Sequence, residues 1–81
     1  MNSNVDWVLQ IDPKVEKSLK KIPQNNAKRI ISAIEQLPIN PYAGDIQKMK
    51  GEKNVWRRRV GEYRVFYEII STESVLHVFH L

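Results

Sequence analysis

The sequence predicts an α+β fold in two layers: an N-terminal strand, a two-helix antiparallel hairpin, then a three-stranded antiparallel meander. Three observations carry that expectation. Two stretches between Asp12 and Leu37 place apolar residues at helical spacing. Two β-rich runs flank Gly61 and Glu62, the signature of a hairpin with a tight turn. Residues 75–81 form a last apolar run after the turn-forming residues 71–74.

Residues 1–4 are polar and are expected to fray. Residues 5–11 alternate as a first strand, with Trp7, Leu9 and Ile11 on one side. Asp12 is a good helix cap, and Pro13 is tolerated at the first helical position. Val15, Leu19 and Ile22 then make one apolar stripe, with Lys14, Lys17, Lys20 and Lys21 as its solvated flank. Pro23 ends this helix. Residues 24–26 offer a cap for a second helix, whose stripe is Ala27, Ile30, Ile31, Ile34 and Leu37. Pro38 stops it, because the residue before a proline is pushed away from helical geometry. Residues 38–45 read as a loop, residues 46–51 as a lead into the hairpin, and residues 52–54 as a second turn.

The hairpin is where chemistry concentrates. Strand side chains alternate between faces, so Arg57 and Arg59 share one face, and Trp56, Arg58 and Val60 the other. On the second strand Tyr63, Val65, Tyr67 and Ile69 form an apolar row that needs cover, which the helical stripes supply. Arg64, Phe66 and Glu68 point the opposite way. Pairing that brings Arg57, Arg59 and Arg64 together puts three guanidiniums on one exposed sheet face. A core has no use for that arrangement, and an anion has.

Composition narrows the classes further. At 81 residues the chain is expected to be one domain with a single core. It has no cysteine, which excludes disulfides and thiolate metal sites. No apolar run reaches the roughly 20 residues of a membrane helix, and no signal-peptide core opens the chain, so a cytoplasmic protein is expected. The net charge is +4. Residues 48–64 alone carry +5, from Lys48, Lys50, Lys53, Arg57, Arg58, Arg59 and Arg64 against Glu52 and Glu62, which leaves −1 for the remainder. Such a local excess is the footprint of a phosphate-binding surface; its plainer counterpart is a solvated basic face.

The run Lys48-Met49-Lys50-Gly51, followed by Val55-Trp56-Arg57-Arg58-Arg59-Val60-Gly61-Glu62-Tyr63-Arg64-Val65-Phe66-Tyr67-Glu68-Ile69, resembles the RelE/ParE family of bacterial and archaeal toxins. The small helical hairpin before it and the strand after it also fit the RelE-like two-layer fold, so the resemblance covers nearly the whole chain. It implies the RelE-like branch: the toxin of a toxin–antitoxin system, a metal-independent endoribonuclease that cleaves mRNA in the ribosomal A site. There the 2′-hydroxyl attacks the neighbouring phosphate, leaving a cyclic phosphate and a 5′-hydroxyl. The resemblance assigns Arg64 to the scissile phosphate, with Arg57 and Arg59 aiding it, and arginine suits the task because its planar fork grips two phosphate oxygens. Lys48, Lys50 and Lys53 are implied to hold RNA backbone. The implied partners are a cognate antitoxin, the ribosome and mRNA, without membrane, metal or cofactor.

Departures and alternatives complete the reading. RelE-like chains usually continue past the last strand with a basic residue and a tyrosine, whereas this sequence stops at Leu81. The resemblance implies either a natural short variant or a form truncated at its C-terminus, the truncated form being expected to cleave weakly or not at all. Arg58 falls on the helix-covered face, where it is expected at the sheet edge with its stem packed and its head in solvent. His77 and His80, three apart, are expected on opposite faces and so cannot chelate a metal together. Phe66 is a candidate for base stacking, and His80 for RNA contact or, on the same face as Arg64, for acid–base work, with an aromatic packed by its neighbours and an ordinary strand histidine as the plainer readings. Tyr63 and Tyr67 read as core, Trp7 and Trp56 as core or interface. Two other functions stay open: a ParE-like inhibitor of DNA gyrase, and a non-catalytic binder of nucleic acid or antitoxin.

Overall fold

The computed structural model describes residues 7–81; the expected fraying of residues 1–4 and the start of the first strand at Val5 lie outside the described residues. Strand β1 (Val8–Ile11) leads into helices α1 (Pro13–Lys20) and α2 (Gln24–Gln36). Four strands follow: β2 (Ile46–Lys48), β3 (Val55–Val60), β4 (Tyr63–Ile70) and β5 (Val75–His80). They make one sheet in the order β1-β5-β4-β3-β2, with β1 parallel to β5 and the other pairs antiparallel. The α+β class is as expected. The meander, however, has four strands and not three, because Ile46–Lys48 pairs with Trp56–Arg58 of β3. Three residues are too few to show a period, and Gln47 and Lys48 are polar as an exposed edge strand requires.

Local chemistry accounts for the helices. The Asp12 carboxylate accepts the Lys14 N–H at 2.9 Å and caps α1, with Pro13 in its first turn. Helix α2 starts differently from the expectation: Pro23 occupies the cap position without a side-chain bond, and residues 24–26 form the first turn itself. Asn26 turns its Nδ2 donor to the Tyr63 hydroxyl, 3.4 Å away.

The helices cover one face of the sheet. Val15 of α1 and Ile30 and Ile34 of α2, with Leu37 just beyond it, are buried against Val65, Tyr67 and Ile69 of β4 and Leu76 and Val78 of β5. Each such side chain contributes roughly 1.5–3 kcal/mol by leaving water. Ala33 completes the stripe, and Ile31, expected within it, is 40% exposed. The reason is angular: Ile30, Ala33, Ile34 and Leu37 are spaced at three and four residues, while Ile31 lies a further 100° round the helix.

Two contacts hold residues 38–45 against this layer. The buried Tyr67 hydroxyl donates to the Pro41 carbonyl at 2.8 Å. Burial pushes its pKa up to about 12, with the nearby Arg58 charge pulling the other way. Arg58 donates from Nη1 to the Ala43 carbonyl at 3.3 Å, and its guanidinium occupies the space that a side chain on Gly44 would fill. The expectation of a solvated Arg58 head is therefore corrected. The residue is half-buried, and its Nε is buried without a partner among the described residues.

The β4–β5 ladder carries a bulge. Tyr67 pairs with Val78 but Phe66 pairs with His80, so Phe79 is the extra residue. The bulge resets the alternation. His77, opposite Glu68, and His80, opposite Phe66, come to the same face, contrary to the expectation from their spacing, and Leu81 packs against the core.

Candidate nucleic-acid interface

The two-residue Gly61–Glu62 turn sets the register of the arginines. Gly61 has a left-handed φ of 60° at the first central position, the geometry of a II′ turn. Val60 then pairs with Tyr63, Arg59 with Arg64, Arg58 with Val65, and Arg57 with Phe66. Val65 is buried beneath the helices, so by alternation Arg57, Arg59, Arg64 and Phe66 stand together on the uncovered face. The three arginines that the resemblance singled out are thus brought together. The Arg59 N–H is given to the Asp45 carbonyl at 2.9 Å and not to β4. The Arg59–Arg64 pair is therefore the non-hydrogen-bonded kind, with Cα atoms roughly 4.5 Å apart.

Each arginine is held differently. Arg57 donates from Nη2 to the Gln47 side-chain oxygen at 2.7 Å, and its Nε is buried without a partner among the described residues. Arg59 reaches back from Nε to the Gly61 carbonyl at 3.4 Å. Arg64 is exposed. Gln47 is the member that the sequence reading missed, since it reaches Arg57 only through the unrecognised strand β2. Phe66 is half-buried, and its ring lies 5.4 Å from the exposed His80 imidazole, tilted by 51°. His80 therefore joins the face that carries Arg57 and Arg64. Glu68, opposite Val55 and His77, is an acidic residue on this side.

The lysines sit elsewhere. Lys48 pairs with Trp56, which pairs in turn with the buried Tyr67, so Lys48 lies on the helix side of the sheet edge. Lys50 and Lys53 are exposed in the connection between β2 and β3. Val55 opens β3 and Arg59 nearly closes it. At about 3.3 Å per residue, these lysines stand more than roughly 13 Å along the strand from the Arg59–Arg64 pair. Among the described residues no three of His, Cys, Asp and Glu meet as a potential metal site, and no helix is long and apolar enough to cross a membrane.

Chemically, the face offers planar cations beside an aromatic ring, a combination suited to phosphate oxygens and to a base. Comparison with known proteins gives it a context. Residues 9–81 match the model of a family described as the ParE toxin of type II toxin–antitoxin systems. The toxin RelE3 of Methanocaldococcus jannaschii is 40% identical over 69 residues, covering 75% of this chain and 78% of that protein. The RelE–RelB complex of Pyrococcus horikoshii has a chain of the same fold, with a TM-score of 0.80 over 91% of this chain and 90% of that one, at 24% identity. In the RelB–RelE antitoxin–toxin complex of Methanococcus jannaschii, a chain 28% identical superposes with a TM-score of 0.73, covering 88% of this chain and 85% of that one.

Proposed function

The chain belongs to the ParE toxin family of type II toxin–antitoxin systems, on the RelE-like side of the RelE/ParE superfamily, and on that premise we propose that it is a ribosome-dependent endoribonuclease that cleaves mRNA in the A site. The observation that supports this reading is the pairing of Arg59 with Arg64, and of Arg57 with Phe66, on the sheet face that neither α1 nor α2 covers among the described residues. In the reaction the 2′-oxygen forms a bond to the adjacent phosphorus and loses its proton, while the bond to the 5′-oxygen breaks and that oxygen gains one. The products are a 2′,3′-cyclic phosphate and a 5′-hydroxyl. Negative charge builds on the non-bridging oxygens at the transition state, and fixed cations stabilise it there more than in the ground state. Arg64 takes the scissile phosphate, Arg57 and Arg59 assist, and Phe66 with His80 supports the neighbouring base.

The partner in this reading is a cognate antitoxin, as in the two toxin–antitoxin complexes of the same fold. A segment carrying carboxylates would neutralise the arginine face, and part of its binding energy would be spent on its own ordering.

Primer extension on mRNA held in translating ribosomes tests the activity. New cuts at the A-site codon, lost in Arg64→Ala, are the expected result. Undiminished cutting by Arg64→Ala overturns the assignment of that residue. Inhibition of DNA gyrase without any cut overturns the nuclease reading itself.

A further inference from the structure

Behind the arginine face, a polar groove runs along α2. Asn26, Arg29, Ser32 and Gln36 recur on one side of the helix, and β3 supplies the facing wall from Arg58 to Gly61. Two adjoining cavities, of about 190 and 390 Å³, share Arg29, Val60 and Gly61. From Asn26 to Gln36 the helix rises roughly 15 Å, the span of about five residues of extended peptide.

The groove's charge is one-sided. Arg29, Arg58 and Arg59 all line the larger cavity, with no carboxylate in its lining among the described residues; Glu62 borders the smaller one. Arg58 is fixed in place by the Ala43 carbonyl and by Gly44, and its buried Nε lacks a partner among the described residues. The Arg29 guanidinium lies against Gly61, where an added Cβ would meet it at 3.7 Å. Ser32 and Gln36 add neutral donors and acceptors suited to a peptide backbone.

We propose that this groove takes an extended acidic peptide, with carboxylates on Arg29 and Arg58, contributed by the same partner that covers the arginine face. The identity of that partner rests on the toxin–antitoxin reading; the groove's preference for carboxylates does not. Peptide is favoured over RNA for two reasons. The groove opens on the helix side, away from Arg57, Arg64 and Phe66, so a strand of RNA lying on that face does not reach it. Among the described residues no aromatic ring lines the larger cavity to stack a base, and Tyr63, at the smaller one, holds the Asn26 amide with its hydroxyl. Arg59, at the hairpin tip, borders both surfaces, so a polypeptide passing round Gly61 touches each in turn.

The test is an amide NMR titration of the full chain with a ten-residue polyglutamate, a ten-residue polyglutamine and a ten-nucleotide polyuridine. Polyglutamate is expected to shift signals of residues 26–36 and 58–63, and polyglutamine is not. Arg29→Ala is expected to weaken polyglutamate about tenfold, the loss of one charged hydrogen-bond donor, without changing the affinity for polyuridine. Shifts confined to the Arg57, Arg64 and Phe66 face overturn the proposal, as does unchanged polyglutamate affinity in Arg29→Ala. Equal weakening of polyuridine makes the groove an RNA surface and overturns it too. None of these outcomes depends on mRNA cleavage, so failure of the nuclease reading is separately visible in primer extension.

Discussion

Arg59 and Arg64 stand directly opposite each other across the β3–β4 ladder, two cations on the same side of the sheet. Like charges in that position are destabilising, by up to roughly 1 kcal/mol relative to a neutral pair. The fold tolerates the pair next to a turn that fixes its register. Removing either charge should therefore relieve the folded state while it damages the site.

For Arg64→Ala, urea unfolding is expected to show unchanged or slightly greater stability, by a few tenths of a kcal/mol. Cleavage in ribosomes is expected to fall by about 10²–10³-fold, the usual loss when one donor to a developing oxyanion is removed. A variant that loses stability and activity together would show the arginine to be structural.

Binding to single-stranded RNA should weaken steeply with salt, because each neutralised phosphate adds about −0.7 to the slope of log K against log salt. Arg64→Ala is expected to flatten that slope by about 0.7. A wild-type slope near zero would point to a partner held through apolar surface.

Tyr67→Phe removes the donor to the buried Pro41 carbonyl and is expected to cost about 1–3 kcal/mol at neutral pH. The wild-type hydroxyl adds a pH signature. Its pKa is raised from 10.0 to about 12 by burial, so the unfolded chain ionises first. The stability it contributes is whole below pH 10 and is lost between pH 10 and 12, a swing on the order of 3 kcal/mol. Melting curves of the two proteins across that window should converge as pH rises. Parallel curves would mean that Tyr67 ionises in the folded state as easily as in water.

Gly44 adopts a φ of +87°, and its missing side chain leaves room for the Arg58 guanidinium. Gly44→Ala should cost about 1–3 kcal/mol through left-handed strain alone, more if Arg58 is displaced. Thermal unfolding measures the loss, and a neutral result would show that this stretch can rearrange freely.

Much of the fold could be read locally. The Asp12 cap, the Ile30-to-Leu37 stripe and the Gly61–Glu62 turn are short-range patterns, and the arginine face follows from the turn by alternation. What escaped depends on distant pairing. Strand β2 has three residues and no period of its own, so the Gln47–Arg57 bond was invisible. The bulge at Phe79 has no marker in the sequence, so the spacing of His77 and His80 wrongly puts them on opposite faces, although His80 does lie on the face of Arg64. Arg58 looked misplaced on the helix side because its cradle, Gly44 and the Ala43 carbonyl, lies fourteen and fifteen residues away. The candidate groove along α2 needed two elements that only the folded chain brings together.

The strand order has a consequence for how the protein comes into being. Strand β5 sits between β1 and β4, and Val8 finds its partner at Val75. During synthesis β1 therefore emerges long before the strand beside which it belongs. Leu76 and Val78, both fully buried, arrive after Val15, Ile30, Ile34, Val65 and Tyr67, with which they form the core. A nascent chain lacking β5 has an open sheet and an unfilled interior, and contacts of such long sequence separation form slowly. The sheet therefore closes only when β5 is free to insert between β1 and β4, and β4, which carries Arg64, gains its second neighbour at that step.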